Sequence, residues 1–408
     1  MQITLQKSTI AKQSSIQITG SKSESNRLLL LKALYPKISL DNVSNSDDSN
    51  LMTNALTTNS DLVDINHAGT AMRFLTAYFS IQEGREVTLT GSKRMKERPI
   101  EVLVEALQEL GADISYVENE GYPPIKIIGK KLTKYKVSLK ANVSSQYISA
   151  LLLIASKLEN GLELTLEGEI TSVPYIQMTL SLLDEIGVES SFNGNVITVK
   201  PAANNQQPKT LTVESDWSSA SYYFSIVAIS EVGTGITLSS YKENSLQGDS
   251  VLVNIYKHFG VSAVFNDNSS VILKKEFSNL EPLTLNLKNA PDIAQTIAVT
   301  CFALGMSCDL TGLHTLKIKE TDRLVALKNE IEKLGGRVEI TDKSLHLSAS
   351  NKINELVSIE TYHDHRMAMA FAPLALKAAI KIEDAMVVSK SYPAFWKDLE
   401  SIGFKITK

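Results

Sequence analysis

Two rhythms of apolar and polar residues alternate along the 408-residue chain. From Ile3 to Ile18 the character switches at every second position in two short runs, as strands require. Leu28-Leu29-Leu30-Leu31-Lys32-Ala33-Leu34 then predicts a helix. The junction, Gly20-Ser21-Lys22-Ser23-Glu24-Ser25-Asn26-Arg27, sets small hydroxyl residues where that helix begins, with Lys22 and Arg27 close by. Unpaired N–H groups and the positive dipole end make such a place suitable for a phosphate. The earlier glycine of a Walker loop is absent. Serine capping beside solvated Lys22 and Arg27 explains the stretch equally well.

The same rhythms recur at long period. An amphipathic helix ending in apolar-x-x-apolar-Gly appears at Leu107…Gly111, Leu183…Gly187, Tyr256…Gly260, Ile331…Gly335 and Leu399…Gly403, with spacings of 76, 73, 75 and 68 residues. Glycine there fits a left-handed cap. The first four copies are followed by two alternating segments that predict a hairpin, as around Asn193-Gly194. A second element is a polar opening before a helix apolar on nearly every face. Its copies start at Ser23-Glu24-Ser25, Gly69-Thr70-Ala71, Ser144-Ser145-Gln146, Asp216-Trp217-Ser218, Asp292-Ile293-Ala294 and Asp364-His365-Arg366. Helices apolar all round are buried ones.

These elements predict six copies of one α/β unit. The first is short: its capped helix reads as Leu51 to Asn59, with no glycine and no clear hairpin after it. Six units exceed one core, so a split three and three is expected. One domain would hold residues 20–213, the other 1–19 and 214–408, with a crossing near the polar run Pro201 to Pro208.

Composition narrows the function. Apolar residues make up 43%, charged residues 21%, and the net charge is −4, so any anion site must be a local cluster of cations. Neither nucleic acid nor a membrane surface is expected as a partner. Cys301 and Cys308 have no metal-ligand spacing and suit a reducing cytosol. No signal peptide is expected, and the longest apolar run, Met367 to Leu376, is too short to span a bilayer. The expectation is a cytoplasmic protein.

Cations gather at the helix openings of both halves: Lys22, Arg27, Arg73 and Arg94, then Lys319, Arg323, Arg366 and Lys390. Buried, dry and unpaired they would be intolerable. The pattern predicts a wet cleft between two domains that closes on strongly anionic ligands. Asp292 and Glu320 are the carboxylates among these cations, hence candidate acid–base groups. His363 and His365 would not share a helix face, and no metal is expected. The run Lys93 to Arg98 has no aromatic residue interleaved to stack a base.

Seven segments together resemble the 5-enolpyruvylshikimate-3-phosphate synthase family of enolpyruvyl transferases. They are Gly20-Ser21-Lys22-Ser23…Asn26-Arg27, Ala68-Gly69-Thr70-Ala71-Met72-Arg73, Arg94-Met95-Lys96-Glu97-Arg98-Pro99-Ile100, Ser144-Ser145-Gln146, Pro291-Asp292, Lys319-Glu320-Thr321-Asp322-Arg323-Leu324 and Asp364-His365-Arg366-Met367-Ala368-Met369. They occur in the family's order, from about Ile3 to the C-terminus. The resemblance implies an α/β fold: a two-domain inside-out α/β barrel, each domain three βαβαββ units. The implied reaction moves the enolpyruvyl group of phosphoenolpyruvate to the 5-hydroxyl of shikimate 3-phosphate, on the way to chorismate. It needs no cofactor. A monomer is expected.

Roles carried over residue by residue are likewise implications of the resemblance. Lys22 would touch both substrates. Shikimate 3-phosphate would be held by Ser23, Arg27, Ser144, Ser145, Gln146, Ser172, Tyr175, Asp292 and Lys319. Phosphoenolpyruvate would be held by Gly69, Arg94, Gln146, Arg323, Arg366 and Lys390. Asp292 would take the hydroxyl proton and Glu320 protonate the methylene carbon. His67 departs from the family's Asn, and Thr315 from a frequent Asn. The rivals are UDP-N-acetylglucosamine enolpyruvyl transferase, which usually carries Lys-Asn at Lys22-Ser23 and a cysteine within Lys93–Arg98, and a non-catalytic repeat or RNA-binding protein.

Overall fold

The computed structural model describes residues 1–140, 144–168, 170, 173–202, 207–266, 270–278 and 281–408. Its backbone contacts divide it into two compact units, Met1–Thr19 with Glu214–Lys408, and Gly20–Val213. Each contains three separate sheets and the helices that pack on them.

In the Gly20–Val213 unit, two sheets share one design. Strand Lys136–Lys140 runs parallel to Leu162–Glu167, which is antiparallel to Val196–Val199, itself the hairpin partner of Ser190–Asn193. Leu62–Asp64, Glu86–Thr90, Ile125–Ile128 and Asp113–Tyr116 repeat that order. The third sheet has only two described strands, Lys209–Thr212 parallel to Ile38–Asp41. The shortened first unit is therefore one that lacks the hairpin pair among the described residues. Its helix spans Asp47–Thr57 and begins before the expected Leu51, because Ser46 accepts the N–H of Ser49 and caps it there.

In the other unit, Gln13–Ile16, Gly235–Ser239, Ser270–Lys275 and Val261–Asn266 form the same four-stranded pattern, as do Leu283–Asn286, Cys308–Thr311, Ser344–Leu347 and Val338–Ile340. The last sheet borrows a strand. Val357–Ile359 lies parallel to Ile380–Ile382, but the next position is filled by Ile3–Leu5, which also pairs with Ile406–Thr407.

Five of the six helices expected to be apolar all round are buried, with every residue of Ala294–Ala303 and all but one each of Gly69–Ser80, Ser145–Ala155, Trp217–Ile229 and His365–Phe371 withdrawn from solvent, whereas the first, Lys22–Leu34, buries eight of its 13 residues and exposes Lys32. The capping glycines Gly111, Gly187, Gly260, Gly335 and Gly403 all have φ between 73° and 119°, the left-handed region that favours glycine. Lys275 is buried yet paired. Its ammonium donates to Ala228 O and Phe259 O, closing two helix ends. Among the described residues no helix is long and apolar enough to cross a membrane.

Candidate active site

The 214–408 segment gathers its charged residues at helix starts. Asp292 stands on the one-turn helix Pro291–Ile293, which leads straight into Ala294–Ala303. Arg323 opens the helix Arg323–Lys333, capped by Asp322, and Arg366 is the second residue of His365–Phe371, capped by Asp364. Tyr362 and His363, just before that cap, both have positive φ, at 53° and 54°. Two consecutive left-handed non-glycine residues mark a strained turn. The turn is tied down by Tyr362 Oη donating to Glu330 at 2.7 Å and Lys390 Nζ donating to His363 O at 2.8 Å.

Arg323 is the centre of this group. From a side chain 2% exposed, Nε donates to Asp364 at 2.6 Å, Nη1 to Asp292 at 2.8 Å and Nη2 to Glu320 at 2.9 Å. Burial by itself favours its neutral form, but Asp364, Glu320 and Asp292 outweigh that and hold its pKa above the ordinary value. Asp292 also meets Lys319 Nζ at 3.4 Å and Arg366 Nη2 at 3.3 Å. Burial pushes the Asp292 carboxyl up, yet Arg366, Lys319 and Arg323 together drive it far below the carboxylate range. It is ionised. Arg366 is held well above its ordinary value too, burial again being overcome, by Asp292 foremost and then Tyr222, Asp249 and Asp216.

Thr315 Oγ1 is buried and has no hydrogen-bond partner among the described residues. Among the described residues, no group of three or more His, Cys, Asp or Glu side chains is placed to hold a metal ion.

In the Gly20–Val213 unit, Ser21 caps Lys22–Leu34 by accepting from Glu24 N. Lys22 Nζ lies 3.4 Å from Asp48 Oδ2, and His67 Nε2 lies 3.6 Å from Asp48 Oδ1. One nearly buried carboxylate thus links the two. Arg27 is buried, its guanidinium donating to Thr179, Ser23 O and Ser149 at 2.7–3.0 Å, with Tyr175 O at 3.4 Å. Its guanidinium also stands 6.0 Å from the Tyr175 ring centre. Burial lowers its pKa to about 10, so it remains charged. Ser144 caps Ser145–Ala155, and Gln146 Nε2 donates to Thr70 at 3.2 Å, beside Gly69. Ser172 lies outside the described residues.

Arg94 sits on the single turn Lys93–Lys96 with its side chain 57% exposed, paired with Glu97 at 3.0 Å. Two other arginines reach the Gly69 helix start: Arg73 Nη1 donates to Gly69 O at 3.1 Å, and a Cβ on Gly69 would fall 2.5 Å from Arg98 Nη1. The turn explains this, since burying Met95 directs Arg94 outward and leaves Arg98 to come back past it. Asp48 and the cap residue Asp364 take partners distant along the chain, Lys22 and Arg323.

A family model described as EPSP synthase (3-phosphoshikimate 1-carboxyvinyltransferase) matches residues 54–399. A relative from Bacteroides fragilis (strain YCH46) named 3-phosphoshikimate 1-carboxyvinyltransferase is 46% identical over 396 residues, covering 96% of this chain and 95% of its own. One of the same name from Pasteurella multocida is 35% identical, covering 93% of each. Among solved structures, EPSP synthase from Acinetobacter baumannii superposes with a TM-score of 0.81 at 20% identity over the whole of both chains. The enolpyruvyl transferase NikO from Streptomyces tendae superposes at 0.74 and 12% identity, covering 100% of this chain and 98% of its own. The expected two-domain α/β architecture is thus the observed one.

Proposed function

Since the chain belongs to the EPSP synthase family, we propose how its own residues divide the work of that family's reaction. The reaction transfers the enolpyruvyl group of phosphoenolpyruvate to the 5-hydroxyl of shikimate 3-phosphate and releases phosphate, by addition and then elimination.

Asp292 takes the proton of the 5-hydroxyl as it attacks, while Glu320, entering protonated, delivers its proton to the methylene carbon; in the elimination Glu320 takes a proton back from the new methyl group and Asp292 returns its own to the departing phosphate. The observation that carries this is that both carboxylates are bonded to one guanidinium, Arg323, at 2.8 and 2.9 Å. The fork holds two acid–base groups at a fixed separation, as concerted addition requires. At rest Asp292 is too weak a base, because three cations surround it. Anionic substrates would neutralise Arg366 and Lys319, which raises its basicity when the hydroxyl arrives.

Phosphoenolpyruvate is assigned to Arg323, Arg366, Lys390, Gln146, the Gly69 N–H and Arg98, with Arg98 replacing Arg94 because of its contact with Gly69. Shikimate 3-phosphate is assigned to Ser23, Ser144, Ser145, Gln146, Ser172, Tyr175 and Lys319. Arg27, whose donors are largely committed, acts by steadying Tyr175. Lys22 serves both ligands. The free, buried cysteines support a cytoplasmic setting, and the chain is proposed to act there as a monomer.

Phosphate release tests the reading. It should require both substrates and continue in excess chelator, and Glu320→Gln and Asp292→Asn should each lower kcat by roughly 10²-fold. Near-normal kcat in either variant would remove that residue from its role.

A further inference from the structure

Asp249 belongs to no role described so far. It follows Gln247-Gly248 on the one-turn helix Gly248–Val251 and is 3% exposed. A carboxylate that deep needs donors. Ser218 supplies one, Oγ to Oδ2 at 2.5 Å, while Oδ1 is buried and accepts no hydrogen bond among the described residues. Clamping the start of helix Trp217–Ile229 does not require Asp249. Gln247 does that, accepting from Trp217 N and donating to Ser215 O, both at 2.9 Å.

What Asp249 does determine is the direction of one hydrogen. An ionised carboxylate only accepts, so the single hydroxyl hydrogen of Ser218 is committed to it. The lone pairs of Ser218 are then left for Arg366, whose Nη2 donates at 3.2 Å. The same nitrogen lies 3.3 Å from Asp292 Oδ2, and Nη1 donates to Asp292 O at 3.2 Å. A one-way chain of hydrogen bonds therefore runs from Arg366 through Ser218 to Asp249, alongside the proposed base.

We propose that Asp249 is a positioning residue for enolpyruvyl transfer, acting through Ser218 to hold Arg366 where phosphoenolpyruvate binds. The inference rests on the assignment of Arg366 to phosphoenolpyruvate. The charged groups acting on Asp249 come from three elements: Asp292 from Pro291–Ile293, Arg366 from His365–Phe371, and Asp216 from the cap of Trp217–Ile229. Burial, then Asp292, push its carboxyl up to about 6 against the opposing pull of Arg366 and the Ser218 bond. Near neutrality it is ionised and the chain keeps its direction. Once protonated, Asp249 offers a hydrogen of its own and no longer fixes that of Ser218.

Steady-state kinetics of the full chain with both substrates tests this. Ser218→Ala and Asp249→Ala should each raise the phosphoenolpyruvate KM by about fivefold to tenfold, the size of one ordinary hydrogen bond, with kcat and the shikimate 3-phosphate KM near wild type. The double variant should be no worse than Ser218→Ala, because both changes break one chain. Ser218→Thr should restore the KM. The wild-type advantage over Ser218→Ala should fade as the pH falls through about 6. If Asp249→Ala does not fold, that pH arm and the threonine rescue decide. Multiplicative effects in the double variant, or an unchanged phosphoenolpyruvate KM in Asp249→Ala and Ser218→Ala while Arg366→Lys raises it, would overturn the inference alone. An unchanged KM in Arg366→Lys would instead overturn the assignment beneath it.

Discussion

Arg323 Nε donates to Asp364 Oδ2 at 2.6 Å, and the two side chains are 2% and 0% exposed. Asp364 in turn caps helix His365–Phe371 by accepting from Arg366 N at 2.8 Å. One buried carboxylate thus sets both the helix that carries Arg366 and the angle of the fork that carries Asp292 and Glu320.

Asp364→Ala should therefore do two things. It leaves a buried guanidinium short of a partner, which costs about 3–5 kcal/mol of stability. Denaturant unfolding measures that loss. It should also depress kcat in the folded fraction, since Arg323 loses the bond that orients it. A variant of wild-type stability would mean that Asp292 and Glu320 hold Arg323 unaided.

Asp292 predicts how the chain responds to acid. Its folded pKa is depressed below the ordinary 3.8 by Arg366, Lys319 and Arg323, which override burial. The sign follows: the stabilisation is complete above the unfolded value and is lost as the pH falls below it. Asp292→Asn should be less stable than wild type at neutral pH, and the gap should close on going from about pH 5 toward pH 2. A gap that is constant across that range would show that Asp292 is not held in its ionised form.

Gly69→Ala should act through Arg98. The added methyl would stand 2.5 Å from Nη1 and push the guanidinium aside. Phosphoenolpyruvate KM should rise roughly tenfold, as for a displaced charge-assisted hydrogen bond, with shikimate 3-phosphate KM little changed. Arg98→Ala should behave alike and Arg94→Ala should be close to wild type. The reverse ranking of the two arginines would restore Arg94 to the site.

His67→Asn removes one of the two partners of Asp48, leaving the other, Lys22, 3.4 Å away. Folding and kcat should survive. The change should move phosphoenolpyruvate KM, or inhibition by glyphosate, the inhibitor of the family, by about threefold, the scale of one partly exposed polar contact. Titrations that match wild type for both ligands would separate His67 from Lys22.

Much of the architecture was legible because it depends on local signals. Gly111, Gly187, Gly260, Gly335 and Gly403 each report a left-handed cap, and their spacing counts the units directly. The missing hairpin after Asp47–Thr57 showed as the absence of such a glycine. The candidate site was legible wherever a residue belongs to its own helix start, as with Lys22, Asp292, Arg323 and Arg366. It was not legible where the backbone must first choose among like residues. Arg94 and Arg98 are both arginines of one basic run, and nothing in that run says that Met95 is buried, Arg94 exposed and Arg98 beside Gly69. Asp48, Asp249 and Asp364 carry no local signal of their partners, since nothing nearby in sequence names Lys22, Ser218 or Arg323.

The strand Ile3–Leu5 sits between Ile380–Ile382 and Ile406–Thr407. Emerging from a ribosome, it would find neither neighbour until nearly the whole chain had followed it. The Gly20–Val213 unit has no such wait, because Lys209–Thr212 brings the last strand of its sheets from within its own span. Synthesis should thus deliver a finished middle before either end can fold, with the first strand held in reserve as an open edge. Pairings of such long sequence separation form slowly. A chaperone that shields Ile3–Leu5 should accordingly speed completion of the unit that includes Glu214–Lys408, and leave the rate at which residues 20–213 fold unchanged.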